Sequence, residues 1–213
     1  MYRIVVTDLT SLSDEKICLA GLDIYSGTCF RPLDYLTHAE CHKLDIKQGS
    51  LIQLNGFFQK KKVHSEDFTK TFFSVIGKDY NLLYKALRKT AVPSIESGFG
   101  KKTYARFLEE DDRIKCSIIT LKLKSSMIEA IVDYEKSKIR INIDSRYDNL
   151  HFLPYGSLNP QIDNLEEKAQ CINTYINNHS NYKDFIYARI GLTRAYEGKC
   201  WMQVNAIYGE KNV

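Results

Sequence analysis

The sequence predicts a mainly β protein with two main helices. Short runs of β-branched and aromatic residues, separated by turn residues, recur through both halves of the 213 residues. These runs do not alternate with helices, which argues against a parallel α/β sheet. The length fits one elaborated domain or two of roughly 100 residues. We expect a small barrel over residues 1–78, which the C-terminal strands could complete, and a helix, a long loop and a second β unit over residues 79–213.

The first half contains at least five predicted strands. Ser26 and Gly27 form a tight-turn dipeptide, so the second and third strands are predicted to be a hairpin. Several short strands with long-range returns between them favour a small barrel. The predicted strands are Tyr2–Asp8, Lys16–Tyr25, Thr28–Pro32, Gly49–Phe58 and Phe68–Ile76.

The second half is predicted to begin with a helix. Apolar residues recur at helical spacing from Tyr80 to Leu87, Asp79 is a candidate N-cap, and Pro93 lies beyond the end. Residues 94–112 lack periodicity and are predicted to form a long exposed loop. A second helix starts near Asp163, which has capping-box form with Glu166, and runs to about Asn177. The predicted strands are Cys116–Lys124, Ile128–Tyr134, Lys138–Asp144, Phe185–Thr193 and Cys200–Tyr208.

Composition predicts a folded, soluble protein. Hydrophobic residues make up 44% of the chain and charged residues 26%. No apolar run approaches the roughly 18 residues of a membrane helix, and the N-terminus has no signal-peptide layout. We therefore expect a cytoplasmic protein with no membrane partner. The six scattered cysteines are expected to be reduced and mostly buried.

The positive charge is concentrated in the middle of the chain. Residues 60–124 hold 15 Lys or Arg against 8 Asp or Glu, whereas the remaining residues hold 15 against 18. A basic region attracts polyanions, although a solvated lysine-rich face has the same composition.

No enzyme signature fits the sequence. Gly98–Thr103 resembles a phosphate loop, but Lys102 interrupts the required Gly-Lys-Thr run. Glu166 and Lys168 match part of a nuclease motif, but acidic residues at a helix start are explained by the helix dipole. We therefore predict no catalytic residue, no metal and no cofactor. The possible metal ligands, which lack the paired spacing of a zinc site, are His38, Cys41, His42 and His64.

Aromatic and basic residues on the predicted strand surfaces are the stronger functional signal. Outward aromatic rings flanked by Lys or Arg bind single-stranded nucleic acids, with about 1–3 kcal/mol per stacked base. In the strand Phe185–Thr193, the even-numbered residues form an apolar face. Tyr187, Arg189 and Thr193 are therefore predicted to lie together on an exposed face.

Two further features remain open between a functional and a structural interpretation. Trp201 either shares a polar surface with Gln203 or anchors its strand against the helix at 165–177. Lys60, Lys61 and Lys62 form the densest positive loop, which is either a phosphate contact or a solvated turn.

Both ends of the chain carry motif-like segments, namely Ile17–Leu33, Ala188–Tyr196 and Cys200–Tyr208, and Gly49–Asp67 adds a third region. These segments resemble the bacterial dual OB domain-containing protein family. The resemblance implies two oligonucleotide-binding-type (OB) barrels packed together in one chain. It also implies an accessory subunit beside an enzyme in a bacterial defence or mobile-element system.

We therefore expect a non-catalytic module that binds single-stranded DNA or RNA. Tyr187 and Trp201 would stack bases, and the lysine loop, Arg189 and Arg194 would contact phosphates. The alternative is a scaffold subunit that docks a partner protein through exposed aromatic residues. Arg31 and Thr193 join the set by family resemblance. The predicted binding residues are Arg31, Lys60, Lys61, Lys62, Tyr187, Arg189, Thr193, Arg194 and Trp201.

Overall fold

A computed structural model describes residues 1–13, 15–59, 63–103, 105–155, 162–180 and 185–209. Within these ranges the chain is mainly β, with two sheets. The first sheet contains β1 (Tyr2–Ser11), β2 (Lys16–Asp23), β3 (Cys29–Pro32), β4 (Leu36–Thr37), β5 (Ser50–Phe58) and β6 (Asp67–Lys78). The second contains β7 (Ala91–Val92), β8 (Phe107–Glu109), β9 (Ile118–Lys124), β10 (Ile128–Asp133), β11 (Lys138–Ile143), β12 (Tyr147–Phe152), β13 (Phe185–Leu192) and β14 (Lys199–Gly209). The described helices are α1 (His38–Lys43), α2 (Tyr80–Thr90), α3 (Ile95–Phe99) and α4 (Leu165–His179), and a 3₁₀ turn spans Ser125–Met127.

Five strands of the first sheet close into a barrel. The ring runs β1–β5–β6–β3–β2 and returns to β1, because β1 pairs antiparallel with both β2 and β5. The β3–β6 pair is parallel. Ile4, Leu19, Phe30, Ile52 and Phe68 are buried inside. The predicted small barrel in the first half is thus confirmed.

The second sheet is open. Its strand order is β10–β11–β12–β14–β13–β9–β7, with β8 also paired to β14. One face packs against α4, where Ile172 and Ile176 join a core with Ile141, Ile190 and Val204. The second β unit exists, but its hydrogen bonds do not close a ring.

The middle of the chain differs most from the prediction. Residues 94–112, expected to be a loop, contain α3, capped by the Ser94 hydroxyl, and the short strand β8. Strand β12 was not predicted. The cap of α2 is Asp79 as predicted, whereas Asn164, and not Asp163, caps α4.

Strand β13 is buried on both faces, so the predicted exposure of Tyr187 and Arg189 is wrong. Each of these residues is 1% exposed. The even-numbered face packs into the core of the second sheet, as predicted. Tyr187 lies on the other face, in a cluster with Val5 of β1 and Leu87 of α2. The first barrel and α2 cover the face of β13 that the alternation pattern predicted to be exposed to solvent.

The six cysteines are free thiols, and Cys171 is the exposed one. In the described part of the chain, no helix has the length and apolar character needed to cross a membrane.

Candidate functional site

A buried ion pair joins the two sheets. Arg189 of β13 contacts Asp8 of β1, with Nε to Oδ2 at 3.0 Å and Nη2 to Oδ2 at 2.9 Å. Its Nη1 donates to the Thr120 hydroxyl at 2.8 Å. Burial alone would lower the pKa of Arg189, but the carboxylate of Asp8 outweighs burial and raises that pKa above its ordinary value. The predicted phosphate contact is therefore a structural arginine.

A second carboxylate lies between two arginines. Arg31 Nη2 is 2.7 Å from Asp67 Oδ1, and Arg194 Nη1 is 2.8 Å from Asp67 Oδ2. Asp67 and Arg31 are buried, whereas the Arg194 side chain is 41% exposed. Asp67 and Arg31 belong to the barrel, and Arg194 follows β13 of the second sheet. The motif-like residue Arg194 thus bonds across the two sheets, and Arg31 contacts the same carboxylate from within the barrel.

The residues just before β6 of the barrel contact the start of β9. The Glu66 carboxylate accepts hydrogen bonds from the Ile118 amide at 2.8 Å and from the Ser117 hydroxyl at 3.0 Å. His64 Nδ1 lies 2.9 Å from the same hydroxyl. Arg189 is therefore paired with Asp8, Arg31 and Arg194 share the Asp67 carboxylate, and Glu66 is bonded to Ser117 and Ile118.

The other predicted residues divide into three cases. Lys60, Lys61 and Lys62 lie outside the described residues. Thr193 is half-buried, and its hydroxyl accepts a hydrogen bond from the Trp201 amide at 2.9 Å. Trp201 itself is half-buried but does not anchor on α4, because Met202 and Val204 occupy that face of β14.

Trp201 belongs to an aromatic and basic surface that the sequence did not reveal. Its ring centroid is 5.1 Å from that of Phe107, its cross-strand neighbour on β8. The Arg106 guanidinium lies 5.7 Å from the Trp201 ring, and Lys199 Nζ lies 4.6 Å from the Phe107 ring. We call these four residues the aromatic platform. Both rings are half-buried and Arg106 is exposed, so the surface is accessible to a ligand.

Further basic residues lie next to the platform on β11 and β12. Arg140 pairs with His151, and His151 pairs with Gln203, so these side chains share the face of Trp201. The pKa of His151 is lowered by burial and then by the charges of Arg140, Lys138 and Arg106. Arg140 is in turn bonded to Asp133 at 3.0 Å.

An acidic groove borders the other side. It has a volume of about 870 Å³ and is lined by Glu109, Glu110, Asp111 and Arg194. Its charge is unsuitable for a polyanion. Within the described ranges, no three His, Cys, Asp or Glu side chains are grouped to hold a metal.

The platform was missed for a physical reason. Phe107 and Trp201 become neighbours only through the pairing of β8 with β14, and residues 94–112 carry no strand periodicity. The available signal was local, because Arg106 precedes Phe107 and Lys199 lies two residues before Trp201.

No protein-family model matches this chain, and no curated protein matches it. The resemblance to the dual OB domain family therefore stays a prediction.

Proposed function

We propose that this protein is a pair of OB-type barrels that binds single-stranded DNA or RNA without catalysing a reaction. The observation that carries the proposal is the aromatic platform, where Trp201 and Phe107 lie next to the cations of Arg106 and Lys199. Such surfaces bind single-stranded nucleic acids by stacking bases on the aromatic rings and by pairing phosphates with the basic side chains. By family resemblance, the protein acts as an accessory subunit of a bacterial defence or mobile-element enzyme.

The connectivity of the first barrel supports the OB-type assignment. Its ring is a five-stranded Greek-key barrel, in which the third strand β3 and the fifth strand β6 are parallel. Helix α1 lies between the third and fourth strands.

The second sheet repeats that order when β9 and β10 are treated as one bent strand, interrupted by the 3₁₀ turn at Ser125–Met127. The order then runs from β10 through β11, β12, β14 and β13 back to β9. The third and fifth strands, β12 and β14, are again parallel, and α4 again precedes the fourth strand. OB folds bind oligonucleotides on strands 2 and 3, which here are β11 and β12 beside the platform.

The direct test is fluorescence anisotropy with labelled single-stranded DNA, single-stranded RNA and duplex DNA. We expect saturable single-strand binding at about 50 mM salt that weakens steeply by about 200 mM, because phosphate contacts release counterions. Trp201→Ala is expected to weaken the binding free energy by about 1–3 kcal/mol, which is roughly a 5- to 150-fold loss of affinity.

Tyr25→Ala is the matched control, because this side chain is 70% exposed in a barrel turn. It removes an aromatic ring without touching the platform and is expected to bind as the unmodified protein does. If neither single strand binds saturably at low salt, the proposed function is wrong.

Protein docking is the second candidate. Phe57 of β5 and Phe72 of β6 are 60% and 45% exposed on the outer surface of the barrel. An aromatic protein interface is much less sensitive to salt than phosphate binding, so the same salt series separates the two functions.

A further inference from the structure

A cavity of about 340 Å³ lies between the barrel and the second sheet. Cys18, Ala20 and Arg31 form its barrel side, and Thr193, Gln203 and Asn205 line it from the second sheet. This volume is within the range of about 300–1,000 Å³ that is typical of small-molecule sites. None of the residues that carry the aromatic platform lines it.

One end of the cavity favours an anion. Arg31 and Arg194 both line it, and its described lining residues include no carboxylate. The two guanidiniums share the single carboxylate of Asp67, through contacts of 2.7 and 2.8 Å, so the three groups together carry one net positive charge. Arginine presents several donors in a fixed fork, which suits a phosphate group.

The wall formed by β14 suits a nucleobase. Gln203 and Asn205 alternate on that strand, and Gln203 Nε2 donates to Asn205 Oδ1 at 2.8 Å. Side-chain amides carry both donors and acceptors, the combination that reads base edges. Cys18 adds no negative charge, because burial raises the pKa of its thiol to about 11.

We propose that this cavity binds one nucleotide, with its phosphate at Arg31 and Arg194 and its base at Gln203 and Asn205. The proposal adds a second site to the strand binding proposed for the platform. Two ligands carry the required phosphate and base: a free nucleoside monophosphate and one nucleotide of a bound strand.

The test is a titration with each of the four common ribonucleoside 5′-monophosphates, with inorganic phosphate as the reference probe. Heat of binding is the primary readout, and the fluorescence of Trp201, the one tryptophan of the sequence, is the second. At least one nucleotide is expected to bind with a Kd below about 1 mM, at least about tenfold more tightly than phosphate. If no nucleotide saturates, or if phosphate binds as tightly, the proposal is overturned.

Two variants assign the binding to the cavity. Gln203→Glu keeps the side-chain shape but adds a negative charge, and Cys18→Leu fills space without altering a charge. Each is expected to weaken nucleotide binding at least about tenfold. Gln53→Glu, on the half-buried Gln53 of β5, is the matched control. If Gln203→Glu does not fold, Cys18→Leu decides, and full affinity in a folded Cys18→Leu protein overturns the proposal.

Competition with a labelled oligonucleotide identifies the source of the nucleotide. Displacement by the mononucleotide supports a cavity that holds one nucleotide of the strand. Binding without displacement supports a separate site for a free nucleotide. Nucleotide binding with no oligonucleotide binding contradicts the proposed function and leaves the cavity proposal intact.

Discussion

Arg189 and Asp8 decide how firmly the two sheets are held together. Both side chains are 1% exposed, so each charge depends on the other for compensation. Removing one partner of a buried pair leaves an uncompensated charge, which costs about 3–5 kcal/mol. Arg189→Met is therefore expected to lower the free energy of unfolding by about that amount in urea denaturation.

The double variant Asp8→Leu with Arg189→Met is the control, because it removes both charges and is expected to recover most of the loss. A single variant as stable as the unmodified protein would contradict the role of this pair.

The surroundings of His151 predict how the proposed nucleic-acid binding depends on pH. Burial and the neighbouring cations Arg140, Lys138 and Arg106 lower its pKa in the free protein. If the proposed nucleic-acid binding takes place at the platform, bound phosphates offset those cations, the pKa of His151 rises on binding and a proton is taken up. Affinity is then expected to increase as the pH falls from about 7.5 to about 5.5. Anisotropy titrations at both pH values measure this change, and His151→Gln is expected to reduce it.

At the scale of elements, β13 illustrates what sequence periodicity can and cannot predict. Alternation identified its core-facing side correctly, because a strand places alternate residues on opposite faces. It could not predict that the barrel and α2 cover the other side, which is a long-range packing event. A signal was present in the sequence: Arg189 is the single charge of β13, Asp8 follows the apolar run Ile4–Val6 of β1, and buried charges need partners.

Whether the other elements could be predicted depended on the strength of their local sequence pattern. The long strands of the barrel, α2 and α4 were predicted with small boundary errors, because their periodicity is local. Strand β12 is polar at Asp148, Asn149 and His151 and is defined by its pairing with β11 and β14. Strand β8 has three residues and exists through β14 alone. Of the aromatic platform, the sequence consequently predicted Trp201 but not Arg106, Phe107 or Lys199.

The hydrogen bonds of Glu66 predict that this residue stabilises the start of β9. Glu66→Ala leaves the buried amides of Ser117 and Ile118 without their carboxylate acceptor. Each unsatisfied group costs about 1–3 kcal/mol, so stability is expected to fall by about 2–6 kcal/mol. Denaturation measures the loss, and hydrogen exchange of the two amides should accelerate. Ser65→Ala, at an exposed neighbour, is expected to change neither; normal protection in Glu66→Ala would refute the docking role.

At the scale of the whole molecule, the inter-sheet contacts predict one cooperative unfolding transition. Trp201 fluorescence reports on the second sheet, whereas far-ultraviolet circular dichroism reports on both sheets. Because Asp8, Glu66 and Asp67 all bond across the interface, the two signals are expected to have the same urea midpoint. Two separated midpoints would mean that the sheets are independent.

Only some of the basic residues in the middle of the chain lie near the C-terminal strands. Arg106 reaches Trp201, but Lys85, Arg88 and Lys89 are exposed on α2, which packs against β1 and β9. The charge asymmetry of the sequence is therefore distributed over more than one surface, and the platform uses a small share of it.

The measurement that tests the central claim most directly is the salt dependence of single-strand affinity in Arg106→Ala, with Lys43→Ala on α1 as the matched charge control. Arg106 is exposed and supplies a cation at the Trp201 ring, so its removal should not affect folding. If the platform holds the strand, Arg106→Ala weakens binding and reduces the slope of log affinity against log salt by about 1, and Lys43→Ala changes neither. Equal slopes in both variants and the unmodified protein would contradict the assignment of nucleic-acid binding to this surface.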